Sequence, residues 1–574
     1  FHRRESKPVY WRLFERFGLT DVELMDDIDC LAACHRTDRE PFKATPKAST
    51  LCYEYQFNTE QEFKGAASQF FILGEENEDG RNLSIRFMPE HSDLEHGLIV
   101  LNAGYEPPSM VTLIPNEVVG AKPIPEAIEK TVKEYEEGQL LPGHCAIMDF
   151  LTRAKPRIKG HTVGPIAPSH DPSTRLSQII SAVQNLDNSY LPIQGPPGAG
   201  KSFTGKHVIA ELLKQGAKVG IASNSHKAIN NLLISTAKYC YQEGIAAHFV
   251  CTSDTDPALH DYEVTVSKNN QLLSHVQDSC VIGTTAWGFA REDLEQQFDY
   301  LFVDEAGQVS IANLIAMARS ASNLVLLGDQ MQLGQPSQAS HPEESGLSVL
   351  DYLLHESPTI SDEMGIFLGT TYRMHSKVNR FISDHIYEGK LESHPSNDQR
   401  TIDVPENYQG PLNTSAGLIF IPVEHEGNTQ ASDEEVEAIK TITHELLGRT
   451  FHTGNDATPT RSIEWQDILF VAPYNHQVSK LKQALGEKAR VGSVDKFQGQ
   501  EAPIVILSMC ASDADESPRG MEFLFDKHRL NVAISRAQSL AVVVANPSLA
   551  RANANRVEQL QLVNLFSAIA QHSD

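Results

Sequence analysis

The sequence predicts an α/β chain: two tandem lobes built on parallel sheets, with a small β-barrel on a helical stalk ahead of them. Three observations carry this. From Leu176 onward, short apolar runs alternate with helical stretches, the pattern of parallel strands joined by helical crossovers. A glycine-rich loop, Gly195 to Ser202, lies between one such run and a helical stretch. Residues 46–120 instead carry short alternating runs parted by turn residues, which reads as antiparallel sheet.

Taken in order, residues 1–45 form a partly helical segment, with Trp11, Leu13, Phe14 and Phe17 at helical spacing. The runs Ser49–Phe57, Ser68–Leu73, Leu83–Met88, Gly97–Asn102 and Met110–Ile114 follow as barrel strands. A charged helix from about Pro125 to Gly138 forms the stalk. The first lobe takes its strands from Tyr190–Gln194, Lys218–Ser223, Cys280–Thr284, Tyr300–Val303 and Leu324–Leu327. The second takes them from Leu418–Val423, Ile468–Ala472, Ile504–Met509 and Leu540–Ala545. The expected boundaries are 1–45, 46–140, 141–358 and 359–574. Glu424–Glu435 and His452–Arg461, both acidic or polar, read as surface loops.

Composition narrows the options. At about 100–200 residues per domain, 574 residues make three or four domains. Hydrophobic residues are 40% and charged residues 21%, which excludes a disordered chain or a rod. No apolar run reaches the ~18–20 residues of a membrane span. The chain opens Phe-His-Arg-Arg-Glu with no initiator Met or signal pattern, so a trimmed or longer parent chain is expected. The formal charge of −27 argues against holding nucleic acid by bulk positive charge, though not against a local groove. Eight scattered cysteines fit a reduced, cytoplasmic chain. Cys30, Cys34 and Cys52 lack the four-ligand spacing of a zinc site and read as ordinary thiols.

The chemistry concentrates in a few motifs. Gly195-Pro196-Pro197-Gly198-Ala199-Gly200-Lys201-Ser202 fits the phosphate-binding loop and has a strand before it and a helix, from Phe203, after it. Its glycines let backbone N–H groups face phosphates, and the helix start adds partial positive charge. Lys201 is expected to reach the β- and γ-phosphates, and Ser202 to ligate Mg²⁺. Gly195 through Phe203 are therefore the expected nucleotide-binding residues. Tyr300-Leu-Phe-Val-Asp304-Glu305 is a buried strand ending in two carboxylates. Asp304 is expected to hold Mg²⁺, and Glu305 to deprotonate the attacking water. A third strand ends in Gly328-Asp-Gln-Met-Gln332, whose amide can sense a γ-phosphate. Thr371-Tyr-Arg373-Met-His and Leu530-Asn-Val-Ala-Ile-Ser-Arg536 supply arginines, whose fork geometry suits phosphoryl oxygens.

This ensemble resembles the superfamily 1 helicases, in the group of the nonsense-mediated-decay helicase and the Okazaki-fragment nuclease-helicase. The resemblance covers about Leu176 to Pro547 and adds Leu176-Ser-Gln178, Ala222-Ser-Asn-Ser-His-Lys-Ala-Ile, Val281-Ile-Gly-Thr-Thr285, Phe470-Val-Ala-Pro-Tyr-Asn475 and Gly492-Ser-Val-Asp-Lys-Phe-Gln-Gly-Gln-Glu501. It implies that both lobes are RecA-like and that the barrel is the family's 1B domain. Gln178 would contact adenine and Tyr372 stack near it, Gln332 would touch the γ-phosphate, and Glu501 would bond the ribose. Arg373 and Arg536 would act as arginine fingers. Asn224, Ser225, Thr284, Thr285, Asn475 and Ser493 would contact the strand through hydroxyl, amide and main-chain donors, which eases the conflict with the acidic charge. Ala199, Ser202, Gln500 and Gln538 depart from the commoner family residues without removing a catalytic group. Residues 1–45 are similar to the tail of the RecB-like nuclease domains fused to such helicases in bacteria, but the nuclease's own carboxylates are not in this sequence.

The resemblance implies an ATP- and Mg²⁺-dependent helicase tracking 5′ to 3′ on a single strand, DNA favoured and RNA open. The alternative is an ATP-gated clamp or recruiting module that serves a protein partner or a fused nuclease without unwinding. A simple P-loop kinase is disfavoured, because it needs no second-lobe motif set. Trp287 reads as core packing more than base stacking. Lys227 and Lys496 divide evenly between the strand path and plain surface.

Overall fold

The first strand of the barrel comes from a place the alternation does not mark. In the computed structural model, which describes residues 1–571 apart from 60, 62, 66, 336, 356 and 456, Leu31–Arg36 (β1) precedes the five expected strands. These are Leu51–Gln56 (β2), Gln69–Glu76 (β3), Asn82–Phe87 (β4), Leu98–Ala103 (β5) and Met110–Pro115 (β6). They close in the order β1-β2-β5-β4-β3-β6, with every pair antiparallel. Closure leaves no free sheet edge. Alternate residues, among them Tyr53, Tyr55, Phe70, Ile72, Ile85, Phe87, Ile99 and Leu101, fill the interior. Helix His2–Phe17 packs Leu13 and Phe17 on Ile114, Leu24 and Cys30. Arg16 on the same helix pairs with Asp27 at 2.7 Å. This unit is Phe1–Ala121 with Ser337–Gly346, and the rest of the chain forms a second unit. The expected barrel start at 46 is thus too late, because a strand already lies within residues 1–45.

In the second unit, helix Ile124–Glu136, expected to be a stalk grouped with the barrel, packs on helix Ile311–Met317 of lobe 1. Arg319 forks onto Glu134 at 2.7 and 2.8 Å and fixes it there. Lobe 1 holds Tyr190–Gln194 (β7), Lys218–Ala222 (β8), His248–Cys251 (β9), Thr265–Val266 (β10), Cys280–Gly283 (β11), Phe298–Val303 (β12), Ala321–Gly328 (β13) and Ile366–Phe367 (β14). The order is β10-β9-β11-β8-β12-β13-β7-β14, all parallel. The sheet therefore reaches past the expected boundary at 358, since β14 pairs with β7. Lobe 2 holds Gly417–Pro422 (β15), Ile468–Val471 (β16), Arg490–Gly492 (β17), Ala502–Ser508 (β18) and Ala537–Ala545 (β19), ordered β15-β19-β18-β16-β17 and again parallel. Both faces of each sheet are covered by helices, so the central strands read as unbroken apolar runs. Among the described residues no helix is long and apolar enough to cross a membrane.

The two expected surface loops are only partly so. His425, Ser432 and Glu435 are buried, and Asp433–Leu446 is a helix. Thr450–His452 pairs antiparallel with Thr460–Ser462 as a hairpin, position 456 lying outside the described residues. All eight cysteines are free thiols, and all but Cys145 are buried.

Candidate nucleotide and nucleic-acid site

Ligands of open parallel sheets bind beyond the strands' C-terminal ends. In lobe 1 those ends lie side by side in the order β11, β8, β12, β13, β7. They carry, in turn, Thr284 and Thr285, then Asn224 and Ser225, then Asp304 and Glu305, then Asp329 to Gln332, then Gly195 to Ser202. The residues expected to touch a strand occupy one side of a single edge, and those expected to touch a nucleotide occupy the other.

The loop turns through Gly198 and Gly200, both left-handed at φ +71° and +84°. A Cβ on Gly195 would lie 2.1 Å from Lys201 Cγ, so the lysine folds back over the loop. Lys201 Nζ stands 3.6 Å from Glu305 Oε2. Ala199 is buried, whereas Ser202 and Phe203 are exposed at the start of helix Lys201–Leu213. Asp304 is buried and accepts the Glu305 N–H at 3.0 Å. Burial, and then the neighbouring Glu305 charge, push its carboxyl up, against the pull of Lys201. Glu305 has φ +53°, an uncommon left-handed setting for a side-chain-bearing residue. A buried carboxylate beside a second carboxylate, an exposed hydroxyl and an ammonium form a donor set that fits a Mg²⁺-bound phosphate chain.

The second-lobe segment straps onto this loop. Thr371 Oγ1 donates to the Pro197 carbonyl and the Tyr372 N–H to that of Gly198, each at 2.9 Å. A Cβ on Gly198 would come within 2.5 Å of Arg373 Cβ. Arg373 Nε donates to Glu501 Oε2 at 2.6 Å, and Gln538 Nε2 to Glu501 Oε1 at 2.9 Å. Burial pushes the Glu501 carboxyl up, but Arg373 and the Gln538 amide bring it below its ordinary value. Arg536 is 2% exposed and donates through Nη2 to Gln332 Oε1 at 3.3 Å. Burial and the Arg373 charge bring its pKa down to about 9. Tyr372 is exposed, its ring 4.9 Å from that of His394. Gln178 Oε1 accepts the Ser169 N–H at 2.9 Å. Gln500, a family departure, accepts from Arg490 at 2.7 Å.

On the strand side, Ser225 is exposed and heads helix His226–Glu243, and Asn224 Nδ2 donates to the Gln308 carbonyl at 2.5 Å. Thr285 is half-buried at a strand end. Thr284 is placed inward: its hydroxyl donates to Asn269 Oδ1 at 2.8 Å and accepts from Thr252 at 3.1 Å. Lys227 borders a cleft with Ser225, His226, Asn230, Thr255 and Asp256. Lys496 donates to the Val491 carbonyl at 3.0 Å. Trp287 packs half-buried against the lobe-1 core. In lobe 2, exposed Asn475 and half-buried Ser493 follow β16 and β17, whereas Glu501 and Arg536 immediately precede β18 and β19. The two sets sit at opposite ends of one sheet.

Sequence reasoning missed Tyr387, a buried residue that reads as ordinary core, and the roles of Asp329 and Asn531, which lie inside quoted motifs. It also missed a sealed Ser–His–Glu chain: His425 Nδ1 lies 2.7 Å from Ser512 Oγ, and Nε2 lies 3.1 Å from Glu435 Oε1. Both side chains of the His–Glu pair are 0% exposed, so no substrate reaches them. Glu435 also accepts the Ser508 hydroxyl at 2.5 Å and the Cys510 N–H at 3.0 Å.

Residues 173–342 and 347–548 each match an AAA-domain family model. The DNA polymerase alpha-associated DNA helicase A of Schizosaccharomyces pombe is 26% identical over 62% of this chain and 60% of its own length. The helicase/nuclease DNA2 of Gallus gallus is 27% identical over 64% of this chain and 35% of its own. The regulator of nonsense transcripts 1 homolog of Drosophila melanogaster is 25% identical over 66% of this chain and 35% of its own. The chain thus spans less than two thirds of the length of these relatives. A crystal structure of arterivirus nonstructural protein 10 (helicase) aligns loosely, covering 92% of this chain and 79% of its own at TM-score 0.38 and 14% identity. The phosphate loop of lobe 1, the order of the motifs and these relatives make the chain similar, over the 62–66% of it that they cover, to superfamily 1B helicases of the group that includes DNA2 and the nonsense-transcript regulator.

Proposed function

We propose that the chain is an ATP-dependent translocase and helicase that moves 5′ to 3′ on single-stranded DNA, with RNA the other candidate strand. The observation that carries this is the crossing from Arg536 of lobe 2 to Gln332 of lobe 1. It joins the side of the cleft bearing the phosphate loop to a lobe with its own strand-facing residues. Mg²⁺ held by Ser202 and Asp304 would neutralise charge on the phosphates. Lys201 binds the phosphate chain. Glu305 takes the proton from the attacking water. Arg373 leaves Glu501 for the phosphates, which frees the Glu501 carboxylate for the ribose. Gln178 and Tyr372 hold the base. Asn224, Ser225, Thr285, Asn475 and Ser493 hold strand phosphates, and lobe closure converts hydrolysis into a step. The acidic surface supports a protein partner or a fused nuclease domain as well.

The test is ATP hydrolysis with and without single-stranded DNA or RNA, run beside unwinding of 5′- and 3′-tailed duplexes. Stimulation by one strand and unwinding from the 5′ tail is the expected result. Stimulation without unwinding selects the clamp reading instead, and no stimulation by either strand overturns strand tracking.

A further inference from the structure

A cluster of buried polar side chains lies behind the nucleotide cleft, where the lobes meet. Asp329, Gln332, Tyr387, Asn531 and Arg536 are each no more than 6% exposed. Buried polar groups are costly unless paired, and here the pairing runs between lobes. The Tyr387 hydroxyl donates to Asp329 Oδ2 at 2.6 Å, and the same oxygen accepts from Gln332 Nε2 at 2.9 Å. Asn531 Nδ2 donates to the Tyr387 hydroxyl at 2.9 Å and to the Met331 carbonyl at 2.7 Å. Asp329 Oδ1 accepts the Met331 N–H at 3.2 Å.

The placement of these groups carries the inference. Tyr387 follows helix Ser376–Ile386, which begins just after the segment bearing Arg373. Asn531 lies on helix Lys527–Ile534, which leads directly to Arg536. Asp329 and Met331 lie just before Gln332 in the loop after β13. Each arginine-bearing element therefore has its own bracket onto the loop that presents Gln332, and both brackets meet at one phenolic oxygen. A phenylalanine would fill the same space beside Phe367, whose ring lies 6.2 Å away, but would make neither bond.

We propose that Tyr387 and Asn531 are positioning residues that hold the Gln332 loop in register with Arg373 and Arg536 when the lobes close. The bonds are made on closure and broken on opening, so the state of the Gln332 loop is passed to both arginine elements through one two-state contact. The proposal rests on the nucleotide reading above, but its central readout does not.

The test uses Tyr387→Phe in the full chain, with Asn531→Ser as a second variant should the first fold poorly. Hydrogen exchange is followed at the 329–333 amides, Met331 above all, and steady-state ATP hydrolysis is measured with single-stranded DNA. The expected result is at least tenfold faster exchange in that loop. With it comes a tenfold or larger fall in kcat at an unchanged KM for ATP. The double variant is expected to be no slower than the worse single one, because the two residues act as a unit. Exchange within twofold of the parent chain overturns the proposal, as does a change confined to KM. Faster exchange in the variant, where the parent chain itself hydrolyses no ATP, leaves the latch standing and removes the nucleotide reading instead.

Discussion

Glu305 occupies a backbone setting that few side-chain-bearing residues adopt, one residue beyond a buried aspartate. The turn takes Glu305 out of the strand's alternation, so that the two carboxylates are exposed to different degrees at one strand end. Glu305→Gln keeps the shape and removes the proposed base. The expected outcome is a fall in kcat of about 10²–10⁴-fold with fluorescent-nucleotide affinity retained; hydrolysis at the parent rate would reassign the base. Glu435 shows how a different carboxylate is used. It is fully buried and spends its oxygens on Ser508, Cys510 and His425. Glu435→Ala strands those donors in the core. Denaturant unfolding should show a loss of about 3–5 kcal/mol, with the nucleotide site untouched.

Helix Pro172–Gln184, which carries Gln178, is capped by Asp171, whose carboxylate accepts the Thr174 N–H at 2.9 Å and the Ser173 and Thr174 hydroxyls. The Ser173 hydroxyl first, then the Thr174 N–H and hydroxyl, bring its pKa down to about 2. A carboxylate depressed in the folded chain contributes stability above its unfolded pKa and loses it as pH falls through the folded one. The cap should therefore hold throughout the neutral range and fail only as pH drops from about 5 toward 2. Carboxyl chemical shifts of Asp171 check this, and a midpoint near the ordinary carboxylate value of about 3.9 would contradict it. At this scale the central strands were legible because burial on both faces leaves an unmistakable apolar run: Tyr190–Gln194 is where the sequence places it. Short strands were not. Arg490–Gly492 and Ile366–Phe367 are three and two residues long and gain their identity from a neighbour in the sheet. Leu31–Arg36 was hidden because its partners come from both later ends of the barrel. In the site, the phosphate loop and the acidic strand end were legible because backbone chemistry demands those residue types at fixed spacing. Thr284 was not, because one of two adjacent threonines must turn inward and the sequence does not say which. Tyr387 was not, because its hydroxyl matters only through a partner 58 positions away.

Across the whole molecule, a formal charge of −27 coexists with proposed strand contacts whose side chains are neutral. As the proposed strand contacts, Asn224, Ser225, Thr285, Asn475 and Ser493 would release few counterions on binding phosphates. The logarithm of single-strand affinity should then fall with the logarithm of salt at a slope of magnitude below about 2, where about 0.7 is lost per phosphate neutralised by a cation. A titration over salt concentration measures it, and a steep slope would point to a basic groove elsewhere. The lobe-2 sheet has a further consequence. Glu501 and Arg536 stand at one end of its strands, and Asn475 and Ser493 at the other. The longest of these, Ala537–Ala545, has nine residues, about 30 Å at roughly 3.3 Å per residue. Such a sheet can act as a seesaw: a tilt of about 10° about its middle moves each edge about 2–3 Å in opposite directions. On the proposed function, the edge bearing Asn475 and Ser493 would swing opposite to the arginine edge, so that shutting on the nucleotide and shifting the strand would be one and the same rotation.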